Sequence, residues 1–178
     1  AGQYGAHLGL ALAAAGDVNG DGFDDLLVAA PDWDNGYTNA GRALLFLGSP
    51  EGLGPLPAWS VEGTQSGERL GASVAAAGDV NGDGLADVLV GSPMHGSATG
   101  RAALYLGSAS GLALLPHWSA AGSAAGAQFG SSVAGVGDVD GDGLDDFAVG
   151  APGLDRGRVL VYRGRPGGSS PQSMTTLE

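Results

Sequence analysis

One heptapeptide pattern, Gly-Asp-Val-Asn/Asp-Gly-Asp-Gly, occurs three times in the chain and limits the possible folds more than any other feature. The copies begin at Gly16, Gly78 and Gly137, which places them 62 and 59 residues apart. Internal similarity at such a period is typical of proteins that stack copies of one supersecondary unit. The sequence therefore predicts three structural units of about sixty residues each.

Matching residues on both sides of each copy show that the repeat extends beyond the heptapeptide. A Leu-Gly or Phe-Gly pair precedes each copy, and a tripeptide ending in proline follows it. The pairs are Leu8-Gly9, Leu70-Gly71 and Phe129-Gly130, and the tripeptides are Ala29-Ala30-Pro31, Gly91-Ser92-Pro93 and Gly150-Ala151-Pro152. We place the units at residues 1–62, 63–121 and 122–178 of one continuous array.

Each unit contains four short segments with the character of β-strands. The first, such as Leu70 to Ala77, has small residues, and the second follows the heptapeptide directly. The third begins at Arg42, Arg101 or Arg158, and the fourth passes through Trp59 or Trp118, with Met174 in the tryptophan's place in the last unit. With 35 glycines and no helical period, the chain is predicted to be all-β, with three four-stranded propeller blades.

Oxygen-bearing side chains recur at positions one, three, five and nine of a nine-residue loop that starts at the first aspartate of each copy. A hard cation with six to eight oxygen ligands suits this alternation, and a glycine at position six permits the turn that aims the position-seven carbonyl inward. The candidate ligands are Asp17, Asn19, Asp21, Phe23 and Asp25; Asp79, Asn81, Asp83, Leu85 and Asp87; and Asp138, Asp140, Asp142, Leu144 and Asp146. We expect three calcium sites, one per repeat.

Two other kinds of loop share some of these residues but fit them less well. Asn, Asp and Gly are common in polar hairpin turns, but a turn needs only one or two of them, whereas four oxygen-bearing positions recur here in register. An EF-hand begins in the same way, but it carries a bidentate Glu at position twelve, where this chain has Val28, Val90 and Val149. Strand-flanked calcium loops fit better than either.

Composition excludes several classes of function. The net charge of -12 makes nucleic acid an unfavourable partner, and the absence of cysteine excludes disulfides and thiolate-bound metals. No apolar stretch approaches the ~20 residues of a membrane helix, so membrane insertion is not expected. The sequence contains no nucleophile elbow, phosphate loop or zinc-helix motif, and we expect no catalytic residues and no enzyme activity within the segment.

These residues resemble the FG-GAP repeats of integrin alpha-subunit propellers and their bacterial-type relatives. Phe129-Gly130 and Gly150-Ala151-Pro152 match the family motif almost literally, and the resemblance covers nearly the whole chain. It implies that the aspartate-rich loop joins the first two strands of a blade and binds a structural calcium ion.

The resemblance implies a non-catalytic module for recognition or adhesion, extracellular or at the cell surface, with an unidentified protein or glycan ligand. An alternative is an accessory propeller, carbohydrate-binding or otherwise, attached to a secreted enzyme. Three repeats depart from the family, because closed propellers have four to eight blades. We therefore expect a partial propeller that is completed by further blades or by self-association, for instance as half of a six-bladed ring.

Overall fold

The structure is a computed structural model that describes residues 3–168 and 170–177. Twelve strands form three separate four-stranded antiparallel sheets in chain order. They are β1 (Ala11–Gly16), β2 (Asp25–Ala30), β3 (Arg42–Phe46), β4 (Trp59–Glu62), β5 (Ser73–Gly78), β6 (Asp87–Ser92), β7 (Arg101–Tyr105), β8 (Trp118–Ala121), β9 (Ser132–Gly137), β10 (Asp146–Ala151), β11 (Arg158–Arg163) and β12 (Gln172–Leu177). The predicted all-β fold of three four-stranded blades is confirmed.

The register within the sheets repeats from blade to blade. Leu12 pairs with Val28 in blade 1, Val74 with Val90 in blade 2, and Val133 with Val149 in blade 3. Each first strand carries a bulge beside the start of the second strand. A bulge sharpens the local twist, and it recurs at the same place in all three blades, directly before the loop.

The blades stack through two apolar cores, one at each junction. The first strands, β1, β5 and β9, lie side by side along the array. Blades 1 and 2 share a core that includes Leu27, Leu45 and Trp59 from one blade and Val88 and Tyr105 from the next. The second core repeats this arrangement between blades 2 and 3. It includes Leu89, Leu104 and Trp118 on one side and Phe147 and Tyr162 on the other.

One detail of the fourth strand was predicted wrongly. Trp59 pairs with Leu45 and Trp118 with Leu104, but the equivalent Val161 pairs with Thr175. Met174 is the extra residue where the register shifts, and it is half-buried beside the Arg163 guanidinium. Met174 therefore does not take the tryptophan's place, because a bulge moves it by one position.

Helical structure among the described residues is limited to two single turns. One covers His95–Ala98, where Gly96 and Ser97 both have positive φ, and the other covers Pro166–Gly168. Within the described part of the chain, no helix has the length and apolar character needed to cross a membrane.

Candidate metal centre

The position-nine aspartates form the buried base of each loop. Asp25 is 3% exposed, and Asp87 and Asp146 are 0% exposed. One carboxylate oxygen of Asp87 accepts a hydrogen bond from the Val80 N–H at 3.0 Å, and the other accepts one from the Gly107 N–H at 2.9 Å. Each position-nine carboxylate therefore ties its own loop to the turn that follows the third strand.

The position-one aspartates organise the exposed part of each loop. Asp17 Oδ1 accepts the N–H groups of Gly20 at 2.7 Å and Asp21 at 3.1 Å, while its Oδ2 accepts the Gly22 N–H at 2.8 Å. Asp79 and Asp138 make the same three bonds in their own loops. The three loops thus share one backbone conformation, set by the same side chain.

Positions three and five follow the same pattern in all three loops. The side-chain Oδ1 of the residue at position three accepts the backbone N–H of the residue at position five. The Oδ1 of that residue in turn accepts the backbone N–H of the residue at position seven. In the third loop, one carboxylate oxygen each from Asp138, Asp140 and Asp146 lies within 4.8 Å of the other two. Asp142 is not part of this group. Three carboxylates this close form an all-oxygen donor set of the kind that a hard divalent cation requires.

Electrostatics make a cation favourable at the base of the loops. Burial raises the pKa of the Asp87 carboxyl to about 7, and the nearby charges of Asp83 and Asp79 add to this rise. Burial likewise raises the pKa of Asp25. The pKa of Asp17 is lowered, first because the Gly22 N–H donates to its carboxylate, and the Gly143 N–H does the same for Asp138. A divalent ion would stabilise the ionised form of the buried carboxylates.

Neighbouring loops are also joined to each other across the blade junctions. The Ala86 N–H, at position eight of the second loop, donates to the Asp17 carbonyl of the first at 3.0 Å, and the Asp145 N–H donates to the Asp79 carbonyl at 3.1 Å. The Asp145 carboxylate in turn accepts the Asp79 N–H at 2.8 Å. An ion that orders one loop would therefore also steady the next blade.

Sequence reasoning missed the glycines that follow the third strands, Gly48, Gly107 and Gly164. Their N–H groups donate to the position-nine carboxylates, and a Cβ on Gly107 would lie 2.5 Å from the Ala86 carbonyl oxygen. Only glycine fits this close approach of two backbones. Their recurrence directly after Leu47, Leu106 and Arg163 was the available signal.

The connections at the other end of the strands, away from the aspartate-rich loops, differ from blade to blade, whereas the loops themselves share one conformation. The segments between the second and third strands cover residues 31–41, 93–100 and 152–157. In blade 2, the buried Glu68 lies 3.1 Å from His95 and accepts the Thr64 N–H at 2.7 Å. The residues equivalent to Glu68 are Ala6 in blade 1 and Ala127 in blade 3, so this pair is specific to blade 2.

Comparison with known protein families finds three repeats, one in each blade of the structure. The family model described as FG-GAP repeat matches three segments of this chain, residues 8–46, 70–106 and 129–162. Each segment begins at the Leu-Gly or Phe-Gly pair, contains one aspartate-rich loop and reaches the third strand of its blade.

Curated relatives show similarity over most of the chain. It is 38% identical to mouse integrin alpha-IIb over 173 residues, which cover 92% of this chain and 16% of that protein. It is 34% identical to Xenopus laevis integrin alpha-5, with the same coverage, and 36% identical to Drosophila melanogaster integrin alpha-PS2, over 92% of this chain and 12% of that protein. The chain thus spans about a sixth or less of the length of these relatives.

Proposed function

The chain belongs to the FG-GAP repeat family, and we propose that its three loops bind calcium and brace a non-catalytic β-propeller module for protein or ligand recognition. The observation that carries this proposal is the shared backbone conformation of three loops whose oxygen-bearing positions coincide, held in each by the same bonds to the position-one carboxylate. A turn alone does not need this donor set, whereas calcium does.

The ions would be held by oxygens at positions one, three, five, seven and nine. The side chains at the first, third, fifth and ninth positions supply carboxylates and amides, and Phe23, Leu85 and Leu144 supply backbone carbonyls. Calcium is preferred over magnesium, since it accepts more oxygen ligands in a less regular arrangement. When bound, it would supply positive charge that offsets the crowding of carboxylates.

Equilibrium dialysis against radioactive calcium tests this assignment directly. We expect three ions per chain, with dissociation constants of ~10⁻⁴ to 10⁻³ M as in other extracellular modules. Asp79→Asn with Asp83→Asn should reduce the number to two. A stoichiometry that stays at three in this variant, or binding by the wild type of fewer than one ion, would contradict the proposal.

We propose that the recognition surface is formed by the connections at the end of the strands away from the aspartate-rich loops. Its setting would be extracellular or at the cell surface. Its connections differ between blades in length and in charged residues, whereas the aspartate-rich loops share one backbone conformation. His7 and Arg69 both contact Asp32 there, at 2.7 and 3.0 Å. Variable connections on a rigid scaffold are where binding residues are commonly found.

We further propose that the outer face of blade 1 is covered, by a second copy of the chain or by further blades. Leu26, Val28 and Phe46 lie there, and the equivalent residues of blades 2 and 3 are packed against the preceding blade. Leu12, on the same face, is 64% exposed. An uncovered apolar sheet face of this kind favours association.

Sedimentation velocity in calcium tests the second-copy arrangement. We expect the wild type to associate in a concentration-dependent way and Leu12→Glu to remain a monomer with unchanged circular dichroism. A wild-type chain that stays a monomer at high concentration would contradict association between copies.

A further inference from the structure

The third loop differs from the other two by a coupled pair of substitutions. Position three is Asn19 in blade 1 and Asn81 in blade 2, but it is Asp140 in blade 3. The last residue before the glycine that follows the third strand is leucine in blades 1 and 2 but Arg163 in blade 3. Where the loop gains a carboxylate, the blade gains a guanidinium.

The structure brings these two exceptional residues into contact. Arg163 Nε lies 2.5 Å from Asp140 Oδ2, and the Asp140 side chain is 17% exposed. By contrast, the Nδ2 atoms of Asn19 and Asn81 donate to the position-five carboxylates, Asp21 and Asp83, at 2.9 Å. Asp140 has no such donor, so its second oxygen turns to Arg163 while Oδ1 keeps the shared bond to the Asp142 N–H.

The pair also equalises the charge at the side-chain ligand positions of the three loops. Positions one, three, five and nine carry three carboxylates in loops 1 and 2 but four in loop 3. One guanidinium returns these four positions of loop 3 to the same formal charge, while position eight is Asp24, Ala86 and Asp145 in the three loops. Leu47 and Leu106, the equivalents of Arg163, pack against the blade cores, so an arginine at this position is not explained by packing.

We propose that Arg163 is a built-in counter-cation of the third loop, which holds Asp140 when the ion is absent and sets the calcium affinity of that site. This inference rests on the proposed calcium binding. Ligand charge is a main determinant of calcium affinity, so four carboxylates without the guanidinium would bind calcium more tightly. The guanidinium offsets the carboxylate crowding in the metal-free chain and repels the arriving cation.

Calcium titration followed by ¹H–¹⁵N NMR resolves the three loops within one sample. The Gly22, Gly84 and Gly143 amides, each donating to a position-one carboxylate at 2.8 Å, report loops 1, 2 and 3 separately. The midpoint is the calcium concentration at which half of an amide's chemical-shift change has occurred. In Arg163→Leu we expect the Gly143 midpoint to fall about tenfold, with the Gly22 and Gly84 midpoints unchanged. In Asp140→Asn the Gly143 midpoint should rise about tenfold.

The double variant Arg163→Leu/Asp140→Asn recreates the residues of blades 1 and 2 and should return the Gly143 midpoint close to that of the wild type. Arg165→Leu is the matched control, since it removes a guanidinium near the same strand end that contacts Gln172 and not a loop carboxylate. In chelator, Arg163→Leu should lower the melting temperature, because the crowded carboxylates lose their counter-charge. The double variant should melt at the temperature of the wild type.

The outcomes separate this inference from the proposed function. If no glycine amide responds to calcium in the wild type, calcium binding itself is wrong. If all three respond but Arg163→Leu shifts Gly143 no more than Arg165→Leu does, Arg163 is not the counter-cation. An unfolded Arg163→Leu chain in chelator that the double variant fails to rescue would also overturn the inference.

Discussion

Calcium at 10 mM should raise the melting midpoint of this chain by about 10 °C relative to chelator. If each dissociation constant is ~10⁻³ M, that concentration stabilises the folded chain by about 1.4 kcal/mol per site, or about 4 kcal/mol for three. A chain of this length gains roughly 2–4 °C per kcal/mol. Scanning calorimetry in calcium and in EGTA measures the difference.

Magnesium at the same concentration is the matched comparison. Because it prefers a smaller octahedral site and keeps several of its waters, we expect it to raise the midpoint by much less than calcium does. Ionic screening of the net charge of -12 also stabilises the chain, so both salts should be compared at equal ionic strength. Identical melting curves in calcium and EGTA would contradict a structural role for the ion.

Asp25→Ala should be the most damaging single change in the first loop. The Asp25 carboxylate is buried and accepts N–H groups from Val18 at 3.0 Å and Gly48 at 2.8 Å. Its removal leaves two donors without their acceptor, at a cost of about 1–3 kcal/mol for each donor that stays buried. We expect about 3 kcal/mol less stability by urea unfolding, together with a smaller calcium-induced gain.

The neighbouring Asp24→Ala variant is the control for Asp25→Ala. It removes a carboxylate of the same charge from the adjacent, exposed position of the same loop. Surface changes of this kind usually alter stability by less than ~0.5 kcal/mol. If the two variants lost equal stability, the buried hydrogen bonds of Asp25 would not be the cause.

Much of the blade architecture was predictable because it is local in sequence. The strands alternate with short glycine-rich connections, and the third strands begin at the predicted Arg42, Arg101 and Arg158. The register of candidate ligands follows from counting along one tight loop. Met174 shows where such counting fails, since a bulge in β12 depends on how the strand pairs with β11.

The contacts between repeats could not be read from the sequence. The Ala86 N–H donates to the Asp17 carbonyl across the junction of blades 1 and 2, and the Asp145 carboxylate accepts the Asp79 N–H across 66 residues. Neither separation belongs to a local motif, and each contact exists only once the blades are stacked. The contact of Arg163 with Asp140 likewise depends on the loop folding back over the end of the third strand.

By itself, then, the sequence determined the repeat, the four strands of each blade and the nine-residue loops with their candidate ligands, because each of these depends on residues close together in the chain. The tertiary structure decided which loop oxygens are buried, how each loop is tied to the next blade and why the third loop differs. The first and third of these depend on groups that strand pairing brings together within a blade, and the second depends on groups that stacking brings together from neighbouring blades.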